Sequence, residues 1–158
     1  MTIEDRKEKI KELQIKNRRK KLENDIKSKI NEITIEGFMG IEDTIKISRN
    51  IYKKIDLISN KTPIPKQLKY SKQYLLSLEN QFKALNDKTM LLFHQQDRET
   101  GLLKIPLHDF FIDIDTLLDV VGFAKDYRDL LFVDEGLSLG ICIERFEYEN
   151  SFIVWGGN

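Results

Sequence analysis

The sequence has little of what holds small secreted domains together or carries a chain across a membrane. It contains a single cysteine, Cys142, so no disulfide can form within the chain. No window of 18 residues is continuously apolar, and the charged first eleven residues lack the apolar centre of a secretory signal. These absences exclude the disulfide-rich and membrane-spanning classes and favour a protein of the reducing cytoplasm.

An excess of charge of either sign is also missing. The 158 residues include 26 basic and 26 acidic side chains, and 41% hydrophobic residues suffice for one domain with a core. The zero net charge is a cancellation, because residues 1–70 carry +7 and residues 101–158 carry −7. Such asymmetry indicates either attraction between two parts of one fold or an external partner for the acidic part.

The first half of the chain is patterned for helices. Residues 1–36 read as one long charged helix whose C-terminal half packs on the body. The sequence leaves open whether its first turns pack or project. A helical pair follows over residues 41–86, with helices predicted over 41–58 and 66–86 and a connector around Pro63 and Pro65. The predicted face of the first of this pair consists of Ile41, Ile45, Ser48, Tyr52 and Ile55, with Ile51 and Ile58 beside it.

The second half, residues 89–158, is mainly β. Apolar runs at 90–95, 102–107 and 130–134, an alternating run from Leu137 to Ile143, and a last run at 152–155 predict strands. A helix capped by Asp115 or Thr116 interrupts them, and the change of parity near Arg145 requires a bulge or a strand end. We therefore predict one α+β domain, with N-terminal helices packed on a small C-terminal antiparallel meander.

The sequence offers little catalytic or metal-binding chemistry. His108-Asp109 has only His94 as a further histidine, too few ligands for a phosphohydrolase metal site. The carboxylates around Asp113-x-Asp115 do not fit an EF-hand loop. Cys142 lies mid-strand without a neighbouring base, and no phosphate-binding glycine loop occurs. We therefore predict a non-enzyme with no catalytic residue, metal or cofactor.

The acidic C-terminal third is the most distinctive feature. Seven carboxylates, Asp126, Asp129, Asp134, Glu135, Glu144, Glu147 and Glu149, cluster along the chain with Tyr127, Phe146, Tyr148 and Trp155. Carboxylates around exposed aromatics suit a basic protein, because the anions steer association and the aromatics anchor it. The alternative is that the aromatics are core and the acids only solvate the sheet. The predicted partner-binding residues are Asp134, Glu135, Glu144, Glu147, Tyr148 and Glu149.

A run of five cations within six residues supports a different function. Lys16, Arg18, Arg19, Lys20 and Lys21 wrap more than one helical turn and could contact phosphates. No aromatic residue is interleaved with them, so base stacking is not indicated. A nucleic-acid-associated regulator is therefore the alternative to a protein-binding function. We expect no membrane partner, and the sequence leaves the oligomeric state open.

The stretch from Asp129 to Gly156, DLLFVDEGLSLGICIERFEYENSFIVWG, resembles the C-terminal hairpins of small cytoplasmic immunity proteins of bacterial polymorphic-toxin systems. The resemblance rests on size, acidity and strand pattern over the last third of the chain. It implies a single-domain protein that binds a cognate toxin, often a nuclease, and blocks it without catalysis. A basic nuclease cleft is the kind of surface that the acidic residues would occupy.

Overall fold

A computed structural model describes residues 1–125 and 128–157 and shows an α+β fold built on a seven-stranded sheet. All neighbouring strands pair antiparallel, in the order β1-β4-β3-β5-β6-β7-β2. The strands are β1 Gly37–Phe38, β2 Lys61–Ile64, β3 Thr89–Leu92, β4 Leu103–Pro106, β5 Leu130–Val133, β6 Gly140–Arg145 and β7 Asn150–Trp155. The sheet is larger than predicted because the connectors on either side of the second helix add its two edge strands.

Five α-helices surround the sheet in the part of the chain that the structure describes. They are α1 Ile3–Lys29, α2 Ile41–Leu57, α3 Leu68–Leu76, α4 Asp97–Thr100 and α5 Ile114–Val120, with 3₁₀ turns at Lys83–Leu85 and Leu107–Phe111. A capping box starts α1, in which the Thr2 side chain accepts from the Asp5 amide and the Asp5 carboxylate accepts from the Thr2 amide. Within the described residues, no helix combines the length and apolarity needed to cross a bilayer.

The central strand β5 shows why both faces of the sheet are covered. All four of its residues are buried, and they alternate between two core clusters. Leu130 and Phe132 face a layer formed by the C-terminal half of α1, by α3 and by α5, whereas Leu131 and Val133 face α2. A strand in a sheet that is buried on both faces has a continuous run of apolar residues, and β5 has this pattern.

Helix α1 is attached by its C-terminal half only. Leu22 and Ile26 are its buried residues, whereas Ile3, Ile10 and Leu13 are more than half exposed. The first turns therefore project from the body, which the sequence had left open. The helix ends at Lys29, earlier than the apolar spacing suggested, and Ile30 and Ile33 continue into the core from the following turn.

Three local predictions differ from the structure. The third helix ends at Leu76 and not near residue 86, because tight turns carry Leu78 and Phe82 into the same core. Helix α5 is capped by Asp113, whose side chain accepts from the Thr116 amide, and neither Asp115 nor Thr116 is the cap. In α2 the buried positions are Thr44, Ile47, Ile51 and Ile55, so the predicted face was wrong at Ile45 and Tyr52.

Candidate partner-binding surface

The connection between β6 and β7 carries the most exposed aromatics of the sheet. Residues 146–149, here called the acidic turn, form a four-residue link closed by a bond from the Phe146 amide to the Glu149 carbonyl. Phe146 is 52% exposed and Tyr148 is 85% exposed, and Glu147 and Glu149 flank Tyr148. Lys66 fixes the turn from the neighbouring edge by donating to the Phe146 carbonyl. The predicted parity change is therefore a strand end at Arg145.

A second acidic group lies beside the acidic turn, on the side of the sheet that α2 covers. The Tyr52 hydroxyl donates to Asp129 Oδ2 at 2.5 Å, and the Arg145 amide donates to Asp129 Oδ1 at 2.8 Å. Glu144 precedes Arg145 in β6. It lies on the same face of this strand as Cys142, which packs with the core cluster on the α2 side of the sheet. We call Tyr52, Asp129 and Glu144 the Tyr52–Asp129 cluster.

The electrostatics of this cluster favour a cation. Burial raises the pKa of Glu144, the Asp129 carboxylate raises it further, Lys61 lowers it, and Asp56 raises it. Burial also raises the pKa of Tyr52, and the hydrogen bond to Asp129 adds to this rise. The part of this rise that comes from Asp129 and Asp56 is repulsion between carboxylates, which an approaching basic side chain would offset.

The six predicted binding residues do not form one face. Glu144, Glu147, Tyr148 and Glu149 lie at one end of the β5–β6 hairpin, whereas Asp134 and Glu135 lie at its other end, past the pairing of Val133 with Gly140. Strand β6 has six residues, so roughly 20 Å of extended chain separates the two ends. Asp126 and Tyr127, also part of the acidic sequence cluster, lie outside the described residues, and Trp155 is core.

Asp134 has a structural role. Its carboxylate is buried and accepts from the Ser138 amide at 2.7 Å, the Ser138 hydroxyl at 2.5 Å and the Leu139 amide at 3.0 Å. Lys88 Nζ lies 3.2 Å from the same carboxylate. Burial alone would raise the pKa of Asp134, but these donors outweigh it and the pKa is lowered. Asp134 therefore ties the β5–β6 connection and is removed from the binding surface.

We expect Asp134→Ala to lower the free energy of unfolding by about 2–3 kcal/mol at pH 7, because it leaves buried donors unsatisfied. A lowered folded-state pKa gives stability that is present above the unfolded-state pKa and is lost as the pH falls through the folded value. The difference in free energy of unfolding between wild type and variant, measured by urea denaturation, should therefore become smaller as the pH falls. Glu135→Ala, an exposed neighbour, is the control and should cost less than about 0.5 kcal/mol. Equal costs would contradict the assignment.

The five cations of the basic run on α1 differ in their surroundings, because some make contacts within the fold and the others face solvent. Arg19 Nε donates to the Thr100 carbonyl at 2.7 Å, Nη2 donates to the Met39 carbonyl at 3.2 Å, and the guanidinium lies over the Phe38 ring. Arg19 thus fastens the helix to the body, and burial lowers its pKa. Arg18 lies 4.0 Å from Glu99. The remaining three, Lys16, Lys20 and Lys21, are exposed.

An open groove of about 620 Å³ lies where Lys16 and Lys20 approach Phe38 and Gly37 of β1. Its lining mixes these cations with Glu12 and Glu23, so the groove does not present a continuous phosphate-binding track. Nucleic-acid binding by the run stays a prediction. It requires an affinity for duplex DNA or RNA that falls steeply with salt.

The other chemically suggestive residues are held in structural contacts. His94 is buried between the Gly101 carbonyl, 3.1 Å from Nε2, and the Gln96 amide, 3.1 Å from Nδ1, and burial lowers its pKa. Asp109 accepts from the Thr34 amide, and burial raises the pKa of Cys142. Among the described residues, no group of three or more His, Cys, Asp or Glu is placed to hold a metal ion.

Comparison with known proteins covers most of the chain. No solved structure matches it. It is similar to the Uncharacterized protein YxiF of Bacillus subtilis (strain 168), with 24% identity over 147 residues, covering 88% of this chain and 93% of that protein. The family model described as YxiF protein matches residues 22–155, which run from the first buried residue of α1 to the last residue of β7. The chain therefore belongs to the YxiF family.

Proposed function

We propose that this protein is a non-catalytic binding protein of immunity or antitoxin type that acts in the cytoplasm. Its partner is a basic protein, such as a nuclease toxin, and the contact surface is the acidic turn together with the Tyr52–Asp129 cluster. The resemblance of the last third of the chain to immunity-protein hairpins supports this assignment. The zero net charge is compatible with it because the acidic residues are concentrated in the C-terminal third.

One observation carries the proposal: Tyr148 and Phe146 are exposed between carboxylates at a hairpin tip. Exposure of two large rings in one four-residue turn gains nothing for folding, whereas at an interface such rings bury large area at low entropic cost. The alternative reading, in which the aromatics are core, holds for Trp155, which is 9% exposed, but not for these two.

The surrounding carboxylates fit a basic cleft. Glu147 and Glu149 are exposed, and Glu144 and Asp129 are half-buried beside Tyr52. Several anions at one end of the β5–β6 hairpin can occupy the positions that substrate phosphates take in a nuclease. Asp134 and Glu135 do not contribute, since they lie at the far end of the hairpin.

The test uses the C-terminal domain of the protein encoded directly upstream of this gene as the probe. The variant Glu147→Lys, Tyr148→Ala, Glu149→Lys should weaken binding by about 100-fold or more, because it removes the central anchor and reverses its flanks. Titration calorimetry measures the affinity, and nuclease assays measure the inhibition.

The control variant makes the same change in net charge elsewhere, as Glu32→Lys with Glu79→Lys, both exposed and outside the proposed surface. It should retain binding within about threefold, with a slower association rate as the main effect. Unchanged binding by the acidic-turn variant, equal losses in both variants, or no binding by the wild-type protein would each overturn the proposal.

A further inference from the structure

A pocket of about 380 Å³ opens between α2 and α4, and two arginines line it. Arg49 belongs to α2 and Arg98 to α4, so the fold brings together guanidinium groups from distant parts of the chain. The remaining lining residues are Thr44, Ile45 and Ser48 of α2. Sites for small molecules have volumes of roughly 300–1,000 Å³. The pocket is at the lower end of this range and therefore has room for a small ligand only.

The positive charge in this pocket is not balanced by its lining. The described lining includes no carboxylate, and neither Arg49 nor Arg98 forms an ion pair with any residue that the structure describes. Glu42 and Asp56 lie on the same side of α2 as Arg49, but each is roughly 10 Å away along the helix axis and neither lines the pocket. An anion that enters the pocket therefore meets two guanidinium groups without a competing carboxylate in its lining.

The two acids of α4 are held by other partners. Glu99 Oε2 lies 4.0 Å from Arg18 Nε, and Asp97 Oδ2 lies 3.8 Å from Arg128 Nη2. Asp97 is also buried, whereas Arg98, between these acids in the chain, is exposed. Both carboxylates of this short helix are thus directed to other cations, and Arg98 is left to face the pocket.

The hydrogen bonds of the two hydroxyl groups in the wall show which polar atom is left for a ligand. Ser48 Oγ donates to the Thr44 carbonyl at 2.7 Å, so its lone pairs can still accept. Thr44 Oγ1 accepts from the Leu102 amide at 3.0 Å, which fixes this wall to the body. Ile45, which is 40% exposed, adds an apolar surface. The wall therefore suits the organic part of a ligand that carries a hydroxyl group.

We propose that this pocket binds the phosphate group of a small phosphorylated molecule. A guanidinium group presents its N–H donors in a planar fork that matches two phosphate oxygens, and two such groups balance the charge of a phosphate dianion. The organic part contacts Ile45 and donates a hydroxyl hydrogen to Ser48. The pocket does not include the acidic turn, so this proposal does not depend on the proposed function.

Two other anions fit this pocket less well. A nucleic-acid strand carries a phosphate roughly every 3.4 Å and requires a track of cations, whereas this pocket receives one group. The larger groove beside α1 contains Lys16 and Lys20, but Glu12 and Glu23 interrupt it. A carboxylate of a partner protein carries one charge and would leave one of the two guanidinium groups unbalanced. A single phosphate group therefore matches the pocket best.

The test is a titration of the full chain with glycerol 3-phosphate, followed by two-dimensional amide NMR. We expect saturable shifts at residues 44–49 and at Arg98, with a dissociation constant of about 1 mM or lower. Inorganic phosphate should bind at least about threefold more weakly, because it lacks the organic part. Glycerol should not bind, because it lacks the charge. Arg49→Gln with Arg98→Gln should weaken the binding of glycerol 3-phosphate by at least about tenfold, since it removes the charged donors.

The matched control is Arg6→Gln with Lys9→Gln, which removes two cations from exposed positions of α1 and should bind within about twofold of wild type. Thermal unfolding followed by circular dichroism checks that both variants are folded. Absence of saturable shifts in the wild-type chain would overturn the proposal, as would equal weakening in the two variants. Equal affinity for inorganic phosphate would contradict the role given to Ile45 and Ser48. Tighter binding of duplex DNA through the same two arginines would assign the pocket to nucleic acid instead.

Discussion

Phe132→Ala should lower the free energy of unfolding by about 3–5 kcal/mol. Phe132 lies in the central strand β5, is fully buried, and stacks on Phe110 with ring centroids 4.6 Å apart and an interplanar angle of 18°. Truncation removes the buried area and the ring contact, and it leaves a cavity that neighbours on a paired strand cannot fill by moving. A loss of this size is a large fraction of the stability of an ordinary domain.

Urea denaturation followed by fluorescence of Trp155 measures this loss. Phe146→Ala is the control, because it makes the same change at a ring that is half exposed in the acidic turn. The control should lie within about 1 kcal/mol of wild type. If Phe132→Ala cost no more than Phe146→Ala, the placement of β5 at the centre of two buried faces would be wrong.

Gly101→Ala should cost about 3–4 kcal/mol, although it adds only one methyl group. Gly101 has φ of +86°, a conformation that side chains rarely adopt, and an added Cβ would lie 1.7 Å from the Met39 carbonyl oxygen. That oxygen also accepts from Arg19, so the displacement reaches the contact that fastens α1. The adjacent bond from the Leu102 amide to Thr44 Oγ1 would be strained as well.

Two measurements separate this mechanism from a general loss of stability. Urea denaturation gives the loss in free energy of global unfolding. Limited trypsin digestion reports local opening of α1, and cleavage in this helix should accelerate by more than the loss of global stability explains. Gly136→Ala serves as the control, since an added Cβ there meets nothing within 4 Å. A cost below about 1 kcal/mol for Gly101→Ala would show that the Met39 segment yields easily and does not constrain α1.

Much of the fold follows from local patterns. The absence of helix breakers predicted α1, and the alternating and apolar runs predicted β3 to β7 with shifts of a few residues. The edge strands were missed because they are short. Gly37–Phe38 pairs with Leu103 and Lys104, and Lys61–Ile64 pairs with β7. Both are held by partners far away in the chain and have no periodicity of their own.

The residues of the candidate surface also fall into those that the sequence could predict and those that it could not. Glu147, Tyr148 and Glu149 were identified from sequence because they occupy one turn, where neighbours in sequence are neighbours in space. Tyr52 was missed, because the helical stripe suggested a buried position, whereas the structure pairs it with Asp129 across 77 residues. Asp134 has the charge that a basic partner requires. Only the path of the β5–β6 connection shows that its carboxylate accepts hydrogen bonds from Ser138 and Leu139 within the fold.

The sequence by itself determined the class of fold, the concentration of acidic residues in the last third and of basic residues in the first, and the acidic turn. These features depend on composition and on short stretches of sequence, so each can be recognised from neighbouring residues. The tertiary structure decided which charges are free. It placed Arg19 and Asp134 in internal contacts, grouped Glu144 with Tyr52, and left Ile3, Ile10 and Leu13 of α1 exposed. The reason is that burial and pairing depend on residues distant in sequence, so one sequence pattern can specify either an internal tie or an exposed surface until the chain is folded.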